Sequence, residues 1–269
     1  YHVKISKEWV ETVDILKLTS WSRLLKSSHP NPSSIQTKRH YQNNHRFEFD
    51  IRRGDDRNVA AIDLKLQSHT LKSTLQLDSK TATNFKLGVL ARYQDHFANP
   101  ETGVRRLIPD YKKFDLGFHL ISNFRPTDKI LLDIGVRYDF NRINAKKFYQ
   151  TSRWEERDYN IDFQEIIIQD FGTQLLVNPI FDFHNLSASS GVFFELDDKN
   201  SFVFNYGLSN RAPNVSELFS DGLHHSAARI ELGDLRLKKE TSHRISGTYN
   251  YDNSNLEFHV DGFFNYINQ

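Results

Sequence analysis

From residue 129 to 141 the side chains alternate with a period of two. Ile130, Leu132, Ile134, Val136, Tyr138 and Phe140 fall on one side, and Asp133, Gly135, Arg137, Asp139 and Asn141 on the other, with only Leu131 breaking the rule. A β-strand is the regular element with this period, and one dry face opposite one wet face is what such a run builds. The pattern returns in residues 85–93, 114–120, 186–196, 202–208, 245–251 and 256–266, whereas helical periodicity of comparable length is missing. Between residues 60 and 77 the apolar parity flips, from Ile62, Leu64 and Leu66 to Leu71, Leu75 and Leu77. A bulge or tight turn near Ser68 to Thr70 is the expected cause, because register fixes the face of every side chain.

The connections carry the topology. Arg125-Pro126-Thr127-Asp128, Asp197-Asp198-Lys199-Asn200 and Asp252-Asn253-Ser254-Asn255 read as short turns. Between them lie long segments at 95–110, 142–183 and 210–239, so one end of the sheet is trimmed and the other elaborated. That asymmetry is the habit of outer-membrane barrels, whereas an immunoglobulin-like sandwich spreads its loops over both ends. The tight connection at 53–58 is the exception. Residues 4–10 and 14–25 read as strands, 27–37 as a loop, and Ile166-Ile167-Ile168 as a short strand or a helix over the rim. The expected fold is all-β, a partial wall of an antiparallel transmembrane β-barrel with ten to eleven strands.

Composition is compatible with that wall. Only 38% of residues are hydrophobic, mean hydropathy is −0.61, and no run approaches the roughly 20 apolar residues a membrane helix needs. Strands that alternate lipid-facing and lumen-facing residues keep the average low, and 21 Phe with 11 Tyr suit the aromatic girdles of a barrel or the core of a sandwich. A net charge of +1 gives no field for nucleic acid. Cysteine is absent, which removes disulfides and thiolate metal sites. The sequence starts at Tyr1 without a leader and is read as residues 1–269 of a longer barrel protein.

One long excursion concentrates unusual residues: the strand at 202–208 breaks at Asn210-Arg211-Ala212-Pro213, and a second strand resumes after Glu240. Arg211-Ala212-Pro213, Glu217-Leu218-Phe219 and Gly233-Asp234-Leu235, with Leu237 and Glu240-Thr241-Ser242, resemble the two boxes that flank an extracellular loop in TonB-dependent outer-membrane receptors. Asn210 replaces the usual Phe of the first box, and Gly233-Asp234-Leu235 stands in the place of Asn-Pro-Asn/Asp-Leu. Residues 41–50 (Tyr41-Gln42-Asn43 through Asp50) and 102–111 (Thr102-Gly103 through Tyr111) agree as well, in the family's order. The resemblance implies a barrel of twenty-two strands around a plug, of which this chain supplies about half. It implies a Gram-negative outer-membrane location and no permanently bound cofactor. Its partners would be outer-membrane lipid, a small-molecule metal complex and, through a plug outside this chain, the TonB energy-transducing complex.

Candidate ligand-binding residues are Arg211, Glu217, His224 and His225. By resemblance to haem receptors one of the two histidines is a possible iron ligand, and by resemblance to zinc-uptake members Asp221 and Glu231 join them as possible metal ligands. The competing account makes the histidines solvated loop residues, since neighbours on an extended chain point opposite ways. For Arg211 and Glu217 it makes them a strand closure and a loop ion pair. Asp133, Arg137, Asp139, Arg244, Glu257, His259 and Asp261 are expected to face a hydrated lumen, and Arg105, Arg106, Asp110 and Tyr111 to form a loop base. No nucleophile elbow, metal-binding helix or phosphate loop marks an enzyme. The expected function is energy-coupled import of a ferric siderophore or haem, with zinc second. A passive porin-like channel, a soluble β adhesin or scaffold module, and a barrel-rim hydrolase with a triad assembled across strands are the alternatives.

Overall fold

A computed structural model describes residues 3–19, 34–49, 58–78, 83–102, 106–224 and 229–269. In chain order the wall begins with β1 (Val3–Thr19), β2 (Ser34–Phe49), β3 (Ile62–Asp78), β4 (Thr83–Ala98), β5 (Asp110–Thr127) and β6 (Ile130–Gln150). Two helices, α1 (Thr151–Glu156) and α2 (Tyr159–Phe163), and two short strands, β7 (Ile167–Asp170) and β8 (Gln174–Val177), form the next excursion. The wall resumes with β9 (Ile180–Asp197) and β10 (Asn200–Arg211), is interrupted by α3 (Val215–Phe219) and the hairpin β11 (Asp221–His224) and β12 (Arg229–Leu232), and ends with β13 (Glu240–Asn253) and β14 (Leu256–Asn268). The ten long strands pair antiparallel in the order β1-β2-β3-β4-β5-β6-β9-β10-β13-β14, with no crossover. This is an up-and-down meander, and no second sheet stacks on its apolar face among the described residues.

Two-residue turns close one end, at Asp128-Lys129, Asp198-Lys199 and Ser254-Asn255. The Asp197 carboxylate accepts the backbone N–H groups of Lys199 and Asn200 at 2.9 and 3.0 Å, which fixes that turn. Pro126 falls in an irregularity of the β5–β6 register between Phe124 and Thr127, the place where a residue without an N–H does least harm. The first forty residues differ from expectation. A single strand covers residues 3–19 with a register slip between Asp14 and Leu16, and β2 starts at Ser34, inside the segment read as a loop. Residues 20–33 and most of the 53–58 connection lie outside the described residues.

The parity flip in β3 has a different cause from the one expected. Pairing with β2 and β4 runs through Ser68, His69 and Thr70 without a register shift. What changes is the surroundings: Leu71 and Leu77 are exposed on the convex face, whereas Ile62 and Leu64 are buried on the concave face with Ala98 and Leu107. β6 repeats the inversion without a bulge. Ile134, Val136 and Tyr138 face outward, and beyond Arg142 the outward row becomes Asn144 and Lys146, then Phe148 beside the Phe171 ring of the excursion, while Ile143, Ala145 and Tyr149 are buried inside. The strands therefore continue past the apolar band as a free-standing rim, and the long segment expected from residue 142 shrinks to 151–179.

A belt of rings marks the boundary on the convex face, one on each of the nine long wall strands after β1: Tyr41, His69, Tyr93, Phe114, Tyr138, His184, Tyr206, His243 and Tyr266. Tyr138 and Tyr206 bond His184 and His243 at 2.7 and 3.0 Å, and the Tyr41 and His69 rings lie 4.8 Å apart. Rings with an apolar body and a polar tip collect where lipid tails give way to headgroups. The concave face is polar. Arg92, Asp115, Asn141 and Asn185 form a hydrogen-bonded ladder across β4, β5, β6 and β9, with successive distances of 2.8, 2.6 and 2.7 Å.

Candidate functional site

The excursion after β10 is built from its cap. Asn214 accepts the Glu217 N–H at 2.9 Å and Glu217 accepts the Asn214 N–H at 2.8 Å, a reciprocal capping box that starts α3 directly after Pro213. Arg211, on the last residue of β10, donates to Glu217 at 2.8 Å and to Glu240, on the first residue of β13, at 3.2 Å. One guanidinium thus ties both roots of the loop and its helix. The Arg211 hydrogen bond holds the Glu217 carboxyl below the usual glutamate range.

α3 buries Val215, Leu218 and Phe219 against Ile143, Tyr149, Trp154, Tyr159, Leu175, Val177 and Leu235. This cluster is the largest apolar core of the described residues and sits entirely in the rim. Lys147, also buried, donates to the Phe219 carbonyl at 2.5 Å and so anchors the end of α3 to β6. Gly233 is required by close approach: a Cβ there would lie 2.6 Å from the Glu217 carbonyl oxygen and 2.7 Å from backbone atoms of Leu218 and Phe219. The next two residues are clamped by Tyr159, whose hydroxyl donates to Asp234 and accepts the Leu235 N–H, both at 3.1 Å. The two boxes recognised in the sequence are therefore two halves of one packed unit.

The hairpin carries the metal candidates and separates them. Asp221 and His224 are three apart on β11 and face opposite ways, while Glu231, opposite Gly222, shares the face of His224. Asp221 is fully buried and bound by Arg153 at 2.7 Å, with Arg157 at 3.7 Å. His224 donates from Nδ1 to Glu231 at 2.8 Å, and its Nε2 receives Arg46 of β2 at 2.8 Å, with Glu48 3.5 Å away. An arginine only donates, so that contact assigns the lone pair to Nε2 and the proton to Nδ1. Arg46 and the fully buried Glu48 are themselves paired. The His224 bond holds the Glu231 carboxyl low. His225 lies outside the described residues, and the described ones contain no group of three or more His, Asp or Glu side chains poised to hold a metal ion.

The Arg46–His224 contact joins the loop after β10 to β2, with five strands lying between them in the sheet. At about 4.8 Å per strand these would be roughly 29 Å apart on a flat sheet, so the wall curves and the hairpin crosses its mouth. Beneath the crossing lies a cavity of about 310 Å³ bordered by Arg46, Gln94, His96, Tyr111, Lys113 and Ser216. Its cations are Arg46 and Lys113. His96 donates from Nδ1 to the Pro109 carbonyl at 2.9 Å, which leaves Nε2 as the acceptor of the neutral ring. Its ring stacks on Tyr111 at 4.8 Å, and burial pushes the Tyr111 hydroxyl up to about 12. The loop base nearby is an ion pair, Arg106 to Asp110 at 2.9 Å, while Arg105 lies outside the described residues.

Sequence reading missed Arg46, Glu48 and His96 as parts of the mouth. Arg46 and Glu48 were legible only as members of the matching segment at 41–50, and no spacing marks His96. Burial pushes the His96 imidazole below its ordinary value of 6.5. The unfolded rim thus takes the proton first as pH falls, and rim stability is expected to be full above about pH 6.5 and to decline below it. Hydrogen exchange of the Tyr111 and Leu107 amides at pH 7.5 and 5.5 measures this. An equal pH response in His96→Gln would remove the imidazole as its source.

A polar-lined, ring-belted antiparallel meander with short turns at one end and a loop-filled mouth at the other is the wall of an outer-membrane β-barrel. Residues 6–269 match the family model described as TonB dependent receptor-like, beta-barrel, and the chain belongs to that family. Among solved structures it is similar to the copper transporter OprC, with TM-score 0.59, 14% identity, and 96% of this chain over 38% of that one. It is equally similar to the Serratia marcescens hemophore receptor HasR in complex with HasA and heme, with TM-score 0.59, 14% identity, and 99% over 39%. The siderophore receptor PiuA of Acinetobacter baumannii follows with TM-score 0.56, 11% identity, and 97% over 40%. At these identities the likeness speaks for the fold, and the chain spans about two fifths of the length of those structures. No curated protein matches it.

Proposed function

We propose that this wall belongs to a receptor that captures an anionic ferric complex, a siderophore chelate or haem, at its outer mouth. Import would be driven by the TonB complex through a plug domain in the lumen. The family supports nutrient uptake across the outer membrane, and the structures it resembles include receptors titled for copper, haem and siderophore. The observation that carries the choice of cargo is the rim cavity under the crossing hairpin, where Arg46, paired with Glu48, and Lys113, 3.5 Å from Asp115, still border a space shared with the Tyr111 ring. Cations beside an aromatic plane suit a flat or chelated anion.

A bare zinc ion fits this mouth less well. Both His224 nitrogens already have protein partners, and Asp221 turns to the arginines on the other face of the hairpin. The reading is tested on the full-length receptor with calorimetric titrations of haemin, ferric citrate and zinc. Arg46→Gln with Lys113→Gln is expected to weaken binding of at least one anionic iron complex tenfold or more and to leave zinc unaffected. Unchanged affinity for both iron complexes in the double variant would remove the rim cavity as the capture site.

A further inference from the structure

Lower on the concave wall, at the depth of the apolar band, is a second hollow of about 650 Å³ whose walls include Lys72, Lys86, Arg244, Ser187, Ser189 and Ser242. Lys72 and Lys86 come from β3 and β4 and Arg244 from β13, with four strands between β4 and β13, so curvature alone brings these cations to one space. The hollow is roomy because small residues form its floor, Gly135 and Gly207 beside the three serines.

Arg92, Lys113 and Arg137 of the concave face each have a carboxylate beside them, and three other cations of this hollow do not, among the described residues. Asp115 faces Arg92 and Lys113, Asp139 pairs with Arg137 at 2.5 Å on the wall of the hollow itself, and Asp133 accepts a hydrogen bond from Asn123. Lys72, Lys86 and Arg244 have no carboxylate partner among the described residues, and the guanidinium of Arg244 lies 5.3 Å over the Phe263 ring. His119, at the edge of the same hollow, carries a buried Nδ1 without a hydrogen-bond partner. Three unneutralised cations, serine hydroxyls and an unmatched imidazole nitrogen converge on a space within the ordinary range for small-ligand sites, about 300–1,000 Å³. Walls of low dielectric strengthen the mutual repulsion of those cations, and an anion among them relieves it.

We propose that this hollow is a carboxylate-binding station on the path of the cargo, an anion site separate from the rim cavity. This extends the proposed import of an anionic complex and rests on that reading. The two sites are stacked along the same strands: Leu66 borders the upper and Lys72 the lower, six residues or roughly 20 Å along β3. A negatively charged chelate leaving Arg46 and Lys113 meets Lys72, Lys86 and Arg244 next. The serines donate to its carboxylate oxygens without adding charge that would hold it too tightly.

Citrate is the probe. Calorimetric titration of the full-length receptor with citrate, at low and at high salt, is expected to show two sites that weaken together as salt rises. Lys72→Gln with Lys86→Gln and Arg244→Gln is expected to weaken one of them at least tenfold, and Lys72→Arg with Lys86→Arg and Arg244→Lys to retain it. Arg46→Gln with Lys113→Gln should remove only the other. A triple Gln variant that binds citrate as the parent does overturns the proposal, even if its melting temperature falls, because the cations would then serve packing against whatever fills the lumen. Loss of the rim site's effect alone overturns the capture reading and leaves this station standing. If the triple Gln receptor fails to fold, a charge-conserving receptor that binds citrate independently of salt overturns it equally.

Discussion

Asp221→Ala is expected to open the loop after β10 while leaving the wall intact. The carboxylate is fully buried, and its partners are Arg153 at 2.7 Å and Arg157 at 3.7 Å. Removing one member of a buried pair leaves the other charge uncompensated, which costs about 3–5 kcal/mol. Arg153 and Arg157 keep partial access to solvent, which places the expected loss near the lower end. Hydrogen exchange should then show lost protection in β11, β12 and α1 and unchanged protection in β4 and β5, with no metal added. The same experiment separates two roles for this residue. If Asp221 serves a metal ion, exchange without metal will match the parent and only zinc-dependent protection will disappear.

Trp154→Ala should have an effect of similar size on a different segment. The indole is fully buried, donates to Asn160 at 2.7 Å, and lies 5.4 and 5.2 Å from the Tyr149 and Tyr159 rings. Truncating a buried Trp costs about 3–5 kcal/mol through lost transfer energy and the cavity left behind. Tyr159 holds Asp234 and Leu235, so the cost should spread from α1 and α2 to the Gly233-Asp234-Leu235 turn 80 residues on in sequence. Limited proteolysis should find new cleavage in both excursions at once. Cleavage confined to residues 151–179 would show that the two loops do not share a core.

The strands were legible because lipid on one side and water on the other force a strict alternation, and this is why Ile130 to Phe140 and Leu256 to Tyr266 read correctly. Alternation was misread where the outer solvent changes. At Leu66/Leu71 and at Phe140/Ile143 the apolar face swaps sides because the strand leaves lipid and begins to wrap loops. A pattern method that treats parity as register therefore invents a bulge. The excursion was legible as a unit through Arg211, Glu217 and Gly233, whose capping and close-packing roles are local. The partners of His224 were not, since Arg46 lies 178 residues away and meets it only through curvature of the sheet.

Of the residues singled out in advance, Arg211 and Glu217 meet each other at the loop root. His224 and Glu231 meet on one face of the hairpin, and Asp221 turns to the other. The reason is again the period of two, applied within four residues of β11. Expected luminal charges follow the same rule: Arg137 pairs with Asp139, and Asp261 accepts Thr248 at 2.6 Å and faces His259 at 3.8 Å.

β6 runs about a dozen residues beyond Tyr138, which at roughly 3.3 Å per residue and a tilt near 40° lifts its tip on the order of 25–30 Å clear of the ring belt. The wall is thus a turret, and its crown, with Ile161 exposed at 81%, stands above the lipid headgroups. A macromolecule arriving from outside meets the crown before it meets lipid, while the anchoring belt beneath stays screened by the bilayer.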